Sequence, residues 1–177
     1  MSSNPNEREF KPLNIAVMTV SDTRTQANDT SGDTLVKLLT AAGHQLAEKC
    51  IVPDDVYQLR AVLSRWIADP AIHAVITTGG TGITGRDRTP EAVKVLLDKE
   101  IEGFGEVFRA VSYNEINTST IQSRALAGVA NATFLFCLPG STGACRTGWG
   151  KIISHQLDYR TRPCNLVELM PRVLEKG

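Results

Sequence analysis

Three short runs in this chain are mainly apolar and β-branched, without the regular alternation of polar residues that a half-exposed strand shows: LNIAVMTV at 13–20, IHAVITT at 72–78 and TFLFCL at 133–138. A strand with one face in water alternates, whereas a solidly apolar, β-branched run is a strand covered on both faces. Between these runs the apolar period changes to that of a helix. Leu35, Leu38, Leu39 and Ala42 share a face after Ser31-Gly32 and are closed by Gly43, and Leu59, Val62, Leu63, Trp66 and Ile67 form a second stripe. Another strand is expected at 46–52, followed by a turn at Pro53-Asp54-Asp55. Further on, Pro90 suits the first turn of a helix over 91–99 with Thr89 as its N-cap. A helix over 103–115, a less regular stretch over 116–128, a last core strand at 133–138, a helix near 144–157 and a Pro-punctuated tail at 162–177 complete the reading. Strands that alternate with helices and are buried on both faces specify an α/β fold with a mostly parallel central sheet.

Residues 1–12 are polar and are expected to form a flexible N-terminal arm, with 13–177 as one domain. A chain of this length buries roughly 70% of the surface its unfolded form exposes, so it needs no disulfide or metal staple. Its 19 Lys and Arg balance 19 Asp and Glu. That balance lacks the electrostatic footprint of a nucleic-acid or anionic-membrane binder. No apolar run approaches the ~20 residues that span a bilayer, and a cytoplasmic location is expected. Cys50, Cys137, Cys145 and Cys164 form no CxxC pair and read as structural or incidental residues, with Cys145, beside Arg146, the one candidate for a more reactive thiol. His44, His73 and His155 lie on separate elements without metal-ligand spacing, and Trp66 and Trp149 read as packing or interface anchors.

In an open α/β sheet, ligands bind outside the carboxyl ends of the strands. Four loops fall there. TTGGTGITGRDRTP at 77–90 joins a strand to a helix, and its glycines and threonines suit a phosphate cradle, or else a glycine-rich connection with no ligand. Asp87 within it suits a Mg²⁺ ion bridging two phosphates, or a second helix cap beside Thr89. Ser21-Asp22 and Asp29-Thr30-Ser31-Gly32 follow the first strand. An Asp there could meet a ribose hydroxyl or a metal-bound water, or Asp29 or Ser31 could cap the helix. Asp54 stands in the turn after the second strand, and Pro139-Gly140-Ser141-Thr142-Gly143 ends the last with small donors and open backbone.

Taken in order, TVSD at 19–22, DTSG at 29–32, TTGGTGITGRDRTPEA at 77–92, EGFGEVFR at 102–109, SRALAG at 123–128 and LPGSTGACR at 138–146 resemble the MogA/MoaB family of molybdenum cofactor biosynthesis proteins. The likeness is nearest to the MoaB branch, through EGFGEVFR, STGACR and TRPCN at 161–165. The resemblance implies a three-layer α/β/α fold and an adenylyltransferase that joins molybdopterin to the AMP part of ATP with Mg²⁺, releasing pyrophosphate. It implies catalytic roles for Asp87 and Asp54, with Asp87 also the metal ligand. Nucleotide and pterin contacts would fall to Gly79, Gly80, Thr81, Gly82, Ser21, Asp22, Ser31, Ser123, Arg124, Gly140 and Ser141. The partners it implies are molybdopterin, ATP, further copies of the chain in a trimer or hexamer, and other proteins of the same pathway.

One loop departs from the family pattern. Where the family commonly reads PGxPKA, this chain reads PGSTGA, which replaces both the second proline and the lysine. A carrier that binds molybdopterin without chemistry is the alternative reading, and turnover separates the two.

Overall fold

The computed structural model describes residues 8–175. Six strands form one sheet: β1 (Asn14–Val20), β2 (Gln45–Val52), β3 (Ala74–Thr78), β4 (Lys99–Glu100), β5 (Leu126–Ala130) and β6 (Thr133–Leu138), in the order β2-β1-β3-β6-β5-β4. The first four positions are parallel, and β5 runs antiparallel to both β6 and β4.

The unbroken apolar runs now have their physical reason. Ile15 and Val17 of β1, Ala74 and Ile76 of β3, and Phe134 and Phe136 of β6 face one core. Their neighbours Ala16, Met18, Val75, Leu135 and Cys137 face a second. The first core is closed by α1 (Thr30–Ala41), α4 (Glu102–Ile116) and α5 (Thr142–Gly148), through Leu35, Leu39, Phe104, Phe108 and Cys145. The second is closed by α2 (Val56–Ala68) and α3 (Thr89–Lys94), through Leu59, Leu63, Trp66, Ala92 and Val93. Every residue of the central strands except Asn14, at the start of β1, is therefore taken out of water on one side or the other, giving three layers.

The structure corrects several expectations. The irregular stretch contains a 3₁₀ segment at Asn117–Gln122 and all but the last two residues of β5. Hence 133–138 is the second arm of an antiparallel hairpin, whose turn is Asn131-Ala132 with φ of 46° and 66°. The helix expected over 91–99 stops at Lys94, and Lys99 and Glu100 pair with Val129 and Gly128. Thr89 is not its side-chain cap, because its hydroxyl donates to the Gly79 carbonyl at 2.8 Å. The helix after the last strand starts at Thr142, passes through a π turn at Trp149–Ile153 and ends in α6 (Ser154–Gln156). A short α7 (Leu166–Leu169) follows.

Of the arm expected at 1–12, residues 1–7 lie outside the described residues. From Arg8 onward the chain is tied down. Arg8 pairs with Glu168 at 2.8 Å and lies over the Tyr159 ring, Lys11 Nζ sits 3.8 Å from that ring's centroid, and Phe10 packs on His44. His44 is itself a core residue whose Nδ1 accepts from the Leu13 amide at 3.1 Å.

Candidate active site

Parallel pairing sets Thr19 of β1, Thr78 of β3 and Leu138 of β6 side by side, so three of the four candidate loops leave the sheet at one edge. The fourth joins them, since Val52 of β2 pairs with Val20. Between these loops and α4 lies a cavity of about 580 Å³. Its wall includes Ser21, Ser31, Gly79, Gly80, Thr81, Gly82, Asp87, Ser123, Gly140 and Ser141. Asp22, Asp54 and Arg124, also expected at the site, are not on that wall but stand behind it.

The glycine loop is held by what surrounds it. Gly79 has φ of 108°, and a Cβ there would overlap the Val20 carbonyl oxygen. Gly80 has φ of 64°, and its Cβ would overlap the Thr89 hydroxyl and stand 2.8 Å from Asp54 Oδ2. Only glycine allows both the left-handed backbone and the close approach. The Gly79 amide donates to Leu138 O at 3.0 Å, and the Thr89 amide to Gly80 O at 3.0 Å. The first amides of α3 are thus taken by the protein itself, the Arg88 amide going to Asp54 Oδ1 at 3.1 Å.

Asp87 closes its own loop rather than capping α3. Its Oδ2 accepts from the Thr84 amide at 2.8 Å and from the Thr84 hydroxyl at 2.6 Å. Burial pushes its carboxyl pKa up, but the Thr84 and Gly82 bonds and the Arg124 charge outweigh it and hold the group below the usual carboxylate range. Asp54 is the opposite case. Burial, with help from the negative charges of Asp87 and Asp22, raises it despite the Arg88 amide. Asp22 is lowered by its ion pair with Arg86, and its Oδ1 also accepts from the Asp54 amide at 3.2 Å.

The remaining candidates have structural partners as well. Of the roles open to Asp29, the structure shows the cap: it accepts from the Gly32 amide at 3.0 Å and the Thr19 hydroxyl at 2.9 Å, and pairs with Lys49 at 2.9 Å. Ser31 is not a cap, as its hydroxyl donates to Gly140 O at 2.8 Å and so ties α1 to the loop after β6. Ser21 accepts from the Thr23 and Arg24 amides, Ser141 caps α5 through the Ala144 amide, and Ser123 accepts from the Ala125 amide. Arg124 reaches the loop backbone, with Nε on Gly82 O at 2.7 Å, Nη2 on Asp87 O at 2.7 Å, and Nη1 on Glu91. Its own amide donates to Thr81 O at 2.9 Å. Cys145 lies under the floor with Sγ 3.2 Å from the Thr78 hydroxyl, and burial pushes its thiol up to about 11, so it is not a reactive thiol.

Sequence reasoning missed the wall opposite the glycine loop: Ser112, Glu115, Ser119, Thr120, Gln122 and Thr147. Ser112 and Glu115 stand three apart on α4, a spacing that places polar groups on one helical face. It also missed Arg24, the only Lys or Arg side chain on the wall among the described residues. Among those residues no group of three or more His, Cys, Asp or Glu converges to hold a metal ion. A Mg²⁺ that brings its own phosphate and water ligands needs only one or two carboxylates. Of the two carboxylates expected to be catalytic, Asp87 is on the wall, where it could serve as such a donor, and Asp54 stands behind it.

A family model described as "Probable molybdopterin binding domain" matches residues 16–159. The chain belongs to this family. Within the molybdopterin-binding family it is 55% identical over 157 residues to "Molybdenum cofactor biosynthesis protein B" of Escherichia coli (strain K12), covering 89% of this chain and 92% of that protein. The protein of the same name from Bacillus cereus is 43% identical over 152 residues, covering 85% and 90%. Among solved structures, a molybdenum cofactor biosynthesis protein B superposes with a TM-score of 0.82 at 43% identity, covering 85% of this chain and 94% of that one. The tungsten cofactor synthesizing protein MoaB from Pyrococcus furiosus gives 0.75 at 40%, covering 82% and 92%. Family membership assigns the chain to molybdenum cofactor biosynthesis.

Proposed function

We propose that this chain is a molybdopterin adenylyltransferase. The observation that carries the reading is the placement of Asp87 and the Gly79–Gly82 loop on one wall of a cavity large enough for a small-molecule substrate, in a family that binds molybdopterin. A terminal phosphate oxygen of molybdopterin attacks the α-phosphorus of ATP, the new P–O bond forms, and the bond to the β-phosphate breaks to release pyrophosphate. Such a transfer needs positioning and charge neutralisation more than a protein nucleophile. Mg²⁺, carried in with ATP and held by Asp87, would neutralise phosphate charge. The chain's own residues do the rest: the glycine loop admits phosphates close to its backbone, Arg24 adds a cation, and Arg124 and Asp54 keep the loop in place from behind.

The functional unit of this reading is a cytoplasmic homo-oligomer, a trimer or hexamer, that receives molybdopterin from and passes its product to other proteins of the pathway. Val107, Tyr113, Ile116 and Ile121, exposed on α4 and the 3₁₀ segment after it, give such an assembly an apolar surface to cover. No helix among the described residues is long and apolar enough to cross a membrane.

The test is to mix the purified protein with molybdopterin and Mg-ATP and follow adenylylated pterin and pyrophosphate together. Stoichiometric formation of both is the expected result. Pterin binding without product would assign the chain to the carrier role, with Gly143 at the position of the family's lysine as the first place to look.

A further inference from the structure

The wall farthest along α5 from the phosphate loops carries groups for which the transfer step has no use. Glu115 Oε2 accepts from the Thr147 hydroxyl at 2.7 Å, and both residues line the cavity. Thr147 lies six residues beyond Ser141 on α5, roughly 9 Å along a helix at 1.5 Å per residue. The cavity wall holds two other carboxylates, and each has bonds of its own: Asp29 to Gly32, Thr19 and Lys49, and Asp87 to Thr84. Among the described residues, Glu115 is the one carboxylate of the wall set apart from the loops.

We propose that Glu115 reads the 2-amino-4-oxopyrimidine edge of the pterin and so fixes which heterocycle occupies this end of the cavity. That edge presents a ring N3–H and an exocyclic N2–H side by side, two parallel donors. An ionised carboxylate is an acceptor-only fork that takes two such donors at once. The Watson–Crick edge of adenine sets a donor, N6–H, beside an acceptor, N1, and the acceptor would face a carboxylate lone pair. The hydroxyl of Thr147 orients the fork. With the pyrimidine at Glu115, the body of a tricyclic pterin spans the distance to the loops, and its phosphate arrives at the glycine loop. The assignment rests on the transferase or carrier reading of the cavity, both of which require pterin binding.

Anaerobic titration of the protein with molybdopterin, and separately with Mg-ATP, tests it in the wild type, Glu115→Gln and Thr147→Val. Glu115→Gln replaces one acceptor by a donor and is expected to weaken molybdopterin about tenfold or more, the size of a lost hydrogen bond to a charged group. Its Mg-ATP affinity should stay at the wild-type value. Thr147→Val should show a smaller loss in the same direction. Unchanged molybdopterin affinity in Glu115→Gln overturns the proposal, as does a selective loss of Mg-ATP, which would put adenine there. Equal loss of both ligands also overturns it, since Glu115 would then only shape the cavity. A wild-type protein with no affinity for molybdopterin rejects the functional reading itself, and the Glu115 assignment with it.

Discussion

Arg124 holds Asp87 by its main chain: the guanidinium Nη2 donates to the Asp87 carbonyl oxygen at 2.7 Å while the carboxylate of the same residue points to Thr84 and the cavity. The resemblance gives Arg124 a place among the ligand contacts. Its geometry makes it a positioning residue, since the fork that could have met a phosphate is spent on Gly82, Asp87 and Glu91.

Arg124→Lys keeps the charge and loses the fork. Displacing a catalytic group by about 1 Å costs on the order of 100-fold. The expected result is a kcat lower by about 10- to 100-fold with molybdopterin affinity retained, and partial rescue of an Arg124→Ala protein by added guanidinium. Steady-state kinetics with and without guanidinium check this, and rescue is the part that a general loss of stability would not produce.

Asp87→Asn keeps an acceptor for Thr84 and removes the charge. Turnover should fall by about two to three orders of magnitude, as when a preorganised electrostatic group is lost at a reacting centre, while pterin binding survives. Parallel measurement of pyrophosphate release and pterin affinity decides it, and unchanged turnover would reject the role given to Asp87.

The raised Asp54 makes a stability prediction. Its protonated form is favoured in the folded state, so the group supports the fold below the ordinary carboxyl pKa and works against it as pH rises through its folded value. Asp54→Asn mimics the protonated form and retains an acceptor for the Arg88 amide. It should melt above the wild type at pH 7, with the difference shrinking as pH is lowered toward about 4. Thermal denaturation at the two pH values measures this, and a lower melting temperature at pH 7 would mean that repulsion from Asp87 and Asp22 is the smaller effect.

Gly143 lines the cavity, and a Cβ added there meets nothing within 4 Å. Gly143→Lys therefore puts back the family's cation without a clash at its Cβ. A solvent-exposed ionic contact of about 0.5–1 kcal/mol would tighten Mg-ATP about two- to fivefold, visible as a lower KM. Unchanged KM would show that no phosphate passes this position.

The central strands and the first two helices were legible because two opposed cores require long apolar runs and regular stripes. β5 was not. Its sequence, LAGVA, is small and short, and its turn uses Asn131-Ala132, where the residue pair that signals such a hairpin is Asn-Gly. The helix after the glycine loop was overread because Val95 to Leu97 continue its apolar character, although the chain turns there to bring Lys99 and Glu100 to β5. Within the candidate site, the loops themselves were legible from glycine and hydroxyl content. Which oxygen each side chain would meet was not: Ser31 to Gly140 and Arg124 to Asp87 join residues 109 and 37 apart. Glu115 and Thr147, 32 apart, sit on two helices that nothing local connects.

The hairpin that the sequence concealed also decides who can reach the cavity. Because β5 reverses direction, Leu126 pairs with Cys137, and the entrance of β5 lies at the carboxyl edge of β6. Ser123 and Arg124 arrive there from the 3₁₀ segment, immediately before the strand begins. A fifth strand run parallel to its neighbours would have entered at the opposite edge, about 16 Å away for five residues. The change of strand direction is thus a delivery route: it brings a late segment of the chain to the place where the early loops are already gathered, with its guanidinium close enough to grip them.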